Sequence, residues 1–130
     1  MKQELDPKAI RDERLILIVD DEPDIAITYS LLFEHSGYKV ITANNGADAL
    51  KIATEHIPDI VLSDYMMPFM DGAELCRQFK NNPALSHSFF ILTSAAMRPT
   101  EFVAPYDIFI QKPVSFHRLL EEINRHFQQQ

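Results

Sequence analysis

The 130-residue chain is predicted to fold as one α/β domain, a parallel sheet of five strands with helices on both faces. Three observations predict it. Short apolar runs recur five times with helical patterns between them, the alternation that builds a parallel sheet through crossover helices. The runs are almost continuously apolar, as strands covered on both faces must be. Three of them end in charged residues, and C-terminal strand ends are where open α/β sheets keep their chemistry.

Residues 1–13 are mostly polar and include Pro7, so they are expected to form an N-terminal extension to a domain over 14–127, with 128–130 as a tail. The first strand, Leu15–Val19, runs into Asp20-Asp21-Glu22. A helix over Asp24–Ser36 places Ile25, Tyr29, Leu32 and Phe33 on one stripe, and Gly37 stops it. The second strand is Lys39–Ala43. The turn Asn44-Asn45-Gly46 follows it, then a helix over Ala47–Glu55, with Pro58 beyond. The third strand, Ile60–Ser63, delivers Asp64 at its tip. Asp71 is a good N-cap for a helix over Gly72–Lys80. The fourth strand, Phe89–Thr93, ends in the hydroxyls of Thr93 and Ser94, and the fifth, Ile108–Ile110, leads through Gln111 to Lys112-Pro113. In the last helix, from Ser115 to Phe127, the residues Phe116, Leu119, Leu120, Ile123 and Phe127 share one face. The helix expected between strands four and five, fourth in chain order, should be shortened or irregular. Only 18 positions separate Ser94 from Lys112, and Pro99 and Pro105 lie among them.

Composition narrows the function. A net charge of −7 argues against direct nucleic-acid binding. Apolar residues make up 46% of the chain, enough for one ordinary core. No apolar run approaches the roughly 20 residues that span a bilayer, and the start lacks a secretory apolar stretch, so a cytoplasmic location without membrane contact is expected. Cys76, the single cysteine, reads as a small buried hydrophobe in a reducing compartment. The five histidines are scattered, which disfavours a histidine-based metal site. No glycine-rich phosphate cradle precedes a helix, against a nucleotide-binding fold.

The acidic strand ends carry the chemistry. Several carboxylates on one rim repel one another unless a cation balances them. Mg²⁺ takes hard oxygen ligands and needs only one or two carboxylates directly. A carboxylate can also act as a nucleophile and form an aspartyl phosphate. A helix start accounts for one of Asp20 and Asp21, but not for both together with Asp64. Lys112 adds a compact positive charge suited to a phosphoryl oxygen, and a strand-end hydroxyl can donate to the same group.

The set Asp20-Asp21, Asp64, a strand-end hydroxyl and Lys112-Pro113, in this order, resembles the receiver (CheY-like) domain of bacterial two-component response regulators. The resemblance covers about residues 14–127. It implies a flavodoxin-like doubly wound domain with strand order 2-1-3-4-5. It implies a phosphorylation-controlled switch in which Asp64 accepts a phosphoryl group from a sensor histidine kinase or histidine phosphotransfer protein, for relay to a downstream protein. It implies Mg²⁺ (or Mn²⁺) held by Asp21, Asp64 and the backbone carbonyl of Met66, with Asp20 acting through a water. Ser94, with Thr93 as fallback, would be the switch hydroxyl, chosen because Ala95 follows it. Phe109 would be the switch aromatic, Lys112 would bind the phosphoryl group, and the bond to Pro113 would be cis. Lifetime in the family is tuned two positions beyond the acceptor and two beyond the switch hydroxyl, here Met66 and Ala96, neither able to orient a water. Such a domain is not an enzyme beyond its own Asp phosphorylation and slow autodephosphorylation. The chain ends soon after the last helix, so no output domain is expected. An Asp-nucleophile phosphohydrolase is disfavoured because Met66 stands where such enzymes carry a second Asp. An inert interaction module is disfavoured by the complete residue set.

Overall fold

The computed structural model describes residues 14–96 and 104–128. Its elements run β1 (Leu15–Val19), α1 (Pro23–His35), β2 (Lys39–Ala43), α2 (Gly46–Glu55), β3 (Ile60–Asp64), α3 (Gly72–Asn81), β4 (Phe89–Ser94), β5 (Ile108–Gln111) and α4 (Phe116–Gln128). The strands form one sheet in the order β2-β1-β3-β4-β5, and every pair is parallel.

Alternation along the strands sorts the core into two layers. On one face Leu17, Val19, Val61, Phe90 and Leu92 pack beneath α2 and α3, which contribute Ala49, Ala53, Leu75, Cys76 and Phe79. On the other face Ile16, Ile18, Ile60, Leu62, Ile91 and Ile110 pack beneath α1 and α4, through Ala26, Phe33, Leu119 and Ile123. β3 and β4 are buried along their whole length, which is why their sequences carry no polar alternation.

Helix ends follow local chemistry. Pro23 occupies the first turn of α1, where its missing N–H is not needed. Past its end Gly37 takes φ 99°, the left-handed turn that a glycine allows without strain. The Asn45 side chain accepts the Asp48 N–H at the start of α2, and Asp71 accepts the Glu74 N–H at 2.8 Å at the start of α3. Ser115 Oγ accepts the Arg118 N–H ahead of α4. The stripe on α1 is rotated from expectation. Ala26 and Phe33 are buried, whereas Leu32 is exposed along with Ile27 and Leu31. The strands reach one residue farther than expected at β3, β4 and β5, and α4 continues through Gln128. The shortened helix expected between β4 and β5 falls mainly on 97–103, outside the described residues. Of its flanks, Ala104 is buried, and Tyr106 is half-buried with its ring centroid 5.8 Å from that of Phe109.

Candidate functional site

β1 and β3 are neighbours at the middle of the sheet, and the chain departs in opposite directions on either side of them. A crevice therefore opens beyond their C-terminal ends. β1 ends immediately before Asp20, and Asp64 is the last residue of β3. Carboxylate oxygens of Asp20, Asp21 and Asp64 lie within 4.8 Å of one another. Asp20 and Asp64 are 5% and 8% exposed, whereas Asp21 is exposed. Two buried carboxylates thus sit under a third that faces solvent.

Backbone bonds fix this rim. The Asp20 N–H donates to the Ala43 carbonyl, and Asp20 Oδ1 accepts the Glu22 N–H at 2.9 Å. The Tyr65 N–H donates to Thr93 O at 2.7 Å, and the Gly72 N–H to Tyr65 O at 2.8 Å. The second bond folds the β3–α3 loop back on the tip of β3. A Cβ on Gly72 would lie 2.3 Å from the Asp64 carbonyl oxygen, so this close return requires glycine.

Among the described residues one cation faces the carboxylates. Lys112 Nζ is 3.3 Å from Asp64 Oδ1 and 3.8 Å from Asp20 Oδ2. Its backbone N–H donates to Ser94 O at 2.7 Å, and the Lys112–Pro113 peptide is cis. Burial raises the pKa of Asp20 above the usual carboxylate range. The Glu22 N–H and Lys112 oppose that rise, and Asp64 and Asp21 reinforce it. Among the described residues this single ammonium does not compensate three carboxylates. The cluster offers only hard oxygen donors around a residual negative charge, and that donor set fits a hard divalent cation.

The two hydroxyls separate by face. In the β3–β4 register Asp64 pairs with Thr93. Thr93 alternates with Ile91, on the sheet face of Leu62 and Ile110, and Lys112 continues the alternation of Ile110. Ser94 alternates with Leu92 and belongs to the opposite face. Its Oγ accepts the Ala96 N–H at 3.1 Å, a local turn at the strand end. Thr93 Oγ1 makes one long bond, donating to Ser63 O at 3.4 Å. Phe109 is half-buried in the layer of Leu92.

Two features escaped the sequence reading. Phe69 takes φ 70° and is fully exposed in the loop beside Met66, which is also exposed. No sequence signal marks a phenylalanine for the left-handed region. Tyr29 donates from its hydroxyl to the Val114 carbonyl at 3.3 Å, next to the lysine segment. The sequence offered it only as a stripe residue.

The comparisons agree with the geometry. The family described as the response regulator receiver domain matches residues 16–124. The polar-differentiation response regulator DivK of Brucella anthropi is 34% identical over 112 residues, covering 83% of this chain and 91% of DivK. The alkaline phosphatase synthesis transcriptional regulatory protein PhoP of Bacillus subtilis is 46% identical over 65 residues, half of this chain but 27% of that protein's length. Among solved structures, the receiver domain of a signal transduction histidine kinase from Syntrophus aciditrophicus superposes with a TM-score of 0.79 at 34% identity, covering 86% of this chain and 88% of that one. Among the described residues no helix is long and apolar enough to cross a membrane. With its strand order, its acidic crevice and a family match along most of its length, this chain belongs to the response regulator receiver domains of two-component systems, which signal through phosphorylation.

Proposed function

We propose that Asp64 is the phosphoacceptor and that this chain is a phosphorylation-controlled switch fed by a sensor histidine kinase or histidine phosphotransfer protein. The observation that carries the reading is the position of Asp64. It is a strand-tip carboxylate within 4.8 Å of two others and 3.3 Å from the Lys112 ammonium. An Asp64 oxygen attacks the phosphorus of the donor. The P–N bond of a phosphoimidazole, or the P–O bond of an acyl phosphate, breaks as the new P–O bond forms, and the product is an acyl phosphate on Asp64. Lys112 is within reach to pair with a phosphoryl oxygen and relieve the negative charge added to an acidic rim.

Asp21, Asp64 and the Met66 carbonyl would hold Mg²⁺ or Mn²⁺, with Asp20 acting through a water. A bound divalent ion supplies positive charge against the transferring phosphoryl group. Ser94 is the switch hydroxyl, with Thr93 as the fallback: Ser94 Oγ accepts the Ala96 N–H and keeps its own proton to donate, whereas Thr93 Oγ1 donates to Ser63 O, although the register puts Thr93 on the face of Asp64. Phe109 lies in the same layer as Ser94 and is placed to respond with it. No chemistry beyond this self-modification and its slow reversal is assigned, nor is contact with nucleic acid or membrane. The downstream partner is a protein. A cytoplasmic location belongs to the same proposal, in keeping with a phosphoryl donor of the two-component type.

Incubation with acetyl phosphate and Mg²⁺, followed by intact mass measurement, tests this reading. A single added phosphoryl group, lost with chelator and in Asp64→Ala, supports it. Rapid multiple turnover would indicate a phosphohydrolase instead, and no adduct an inert module.

A further inference from the structure

Lys112 stands just past the end of β5, and its backbone has one sheet bond, from its N–H to Ser94 O. The chain then crosses Pro113, Val114 and Ser115 before α4 begins at Phe116. The direction in which a lysine reaches depends on the backbone that carries it, because its own stem has four rotatable bonds. Two side chains of α1 hold this segment. The Phe116 ring packs edge-to-face on Phe33, with centroids 4.8 Å apart. Four residues earlier on α1, and so on the same helix face, the Tyr29 hydroxyl donates to the Val114 carbonyl at 3.3 Å. Phe33 is fully buried and also packs on Tyr38, at 5.3 Å, so α1 is a fixed wall. Tyr29 lines one cleft together with Lys112, Pro113 and Val114, close enough to the site for Lys112 and Asp20 to act on its phenol electrostatically. An aliphatic residue could pack here but could not make the hydrogen bond from the Tyr29 hydroxyl to the segment's backbone.

We propose that Tyr29 is a positioning residue for phosphorylation. Its hydroxyl ties the Val114 carbonyl to α1 and so fixes the backbone from which the Lys112 ammonium reaches Asp64. The inference rests on the roles assigned above to Asp64 and Lys112, and Tyr29 itself touches no reacting atom.

The test is the initial rate of adduct formation from acetyl phosphate at fixed Mg²⁺, read by intact mass. Wild type, Tyr29→Phe, Lys112→Ala and the double variant are compared, with urea midpoints measured in parallel. Phenylalanine keeps the ring and removes only the hydroxyl. Tyr29→Phe should slow the reaction about tenfold, the order by which supporting partners act on a site group. In the Lys112→Ala background the same change should have no further effect, because its target is gone. Tyr29→Leu, lacking ring and hydroxyl, should show the same dependence on Lys112. A merely structural role would give the same loss in both backgrounds, and that result would overturn the inference. So would a Tyr29→Phe variant running at the wild-type rate while Lys112→Ala is slow. If Lys112→Ala itself ran at the wild-type rate, the assignment of Lys112 would fall first, and this inference with it.

Discussion

Gly72→Ala should destabilise the protein and blunt the site together. Two effects oppose each other. Alanine is the better helix residue by about 1 kcal/mol in a helix interior, and it restricts the unfolded chain, a gain of about 0.4–1 kcal/mol where the backbone suits it. Gly72 has no left-handed φ, so backbone conformation raises no objection and space alone decides. The added Cβ would lie 2.3 Å from the Asp64 carbonyl oxygen, 2.6 Å from Leu92 Cδ1 and 2.9 Å from Tyr65 Cα. Leu92 has some rotamer freedom, but the other two are backbone atoms of a fully buried strand tip and the residue after it. Overpacking costs about 1–3 kcal/mol, occasionally more, and a clash with backbone belongs at the upper end. The net expectation is a loss of about 2 kcal/mol. With a urea slope of about 1–2 kcal/mol/M for a domain of this size, the midpoint should fall by about 1–2 M. Relief of the clash pushes the tip of β3, so phosphorylation of Asp64 should slow as well. A urea midpoint equal to or above wild type, with unchanged slope, would refute the reasoning.

Other consequences can be checked separately. The Cys76 thiol is buried and pushed up to about 12 by that burial, so iodoacetamide at pH 8 should leave it unmodified until denaturant is added. Stoichiometric native labelling would contradict its place in the core. The pKa of Asp20 is raised in the fold, so its favourable contribution is present below the unfolded value and is lost as pH rises through the folded one. In metal-free buffer Asp20→Asn should therefore raise the urea midpoint at pH 7 and have little effect near pH 3. A lower midpoint at pH 7 would contradict this. Met66→Asn places an amide two residues past Asp64, able to orient a water, and should hasten loss of the phosphoryl group. Slower or equal decay would count against a shielding methionine.

The fold was legible because its signals are redundant. Five apolar runs, the Asp71 cap, the Ser115 cap and the Gly37 stop each point to the same boundaries. The acidic rim was legible for the same reason, since its residues sit at strand ends and carry charges that a core rejects. The sheet face that Thr93 and Ser94 each take was not, because adjacent residues cannot be assigned to faces without the strand register. That face is set by the pairing of Asp64 with Thr93, a long-range register. The α1 stripe was misjudged at Leu32 because an apolar residue on a helix is legible while the neighbour that covers it is not. Phe69 and Tyr29 were invisible in kind. A positive φ at phenylalanine, or a hydroxyl reaching a carbonyl 85 positions away, has no local sequence signature.

The most direct measurement is to locate the phosphoryl group. The chain is treated with acetyl phosphate and Mg²⁺, then reduced with borohydride, which converts an aspartyl phosphate to homoserine, and mapped by peptide mass spectrometry. Homoserine is expected at position 64 alone, and none when chelator replaces Mg²⁺. Modification at another carboxylate, or at none under conditions where the protein remains folded, would contradict it.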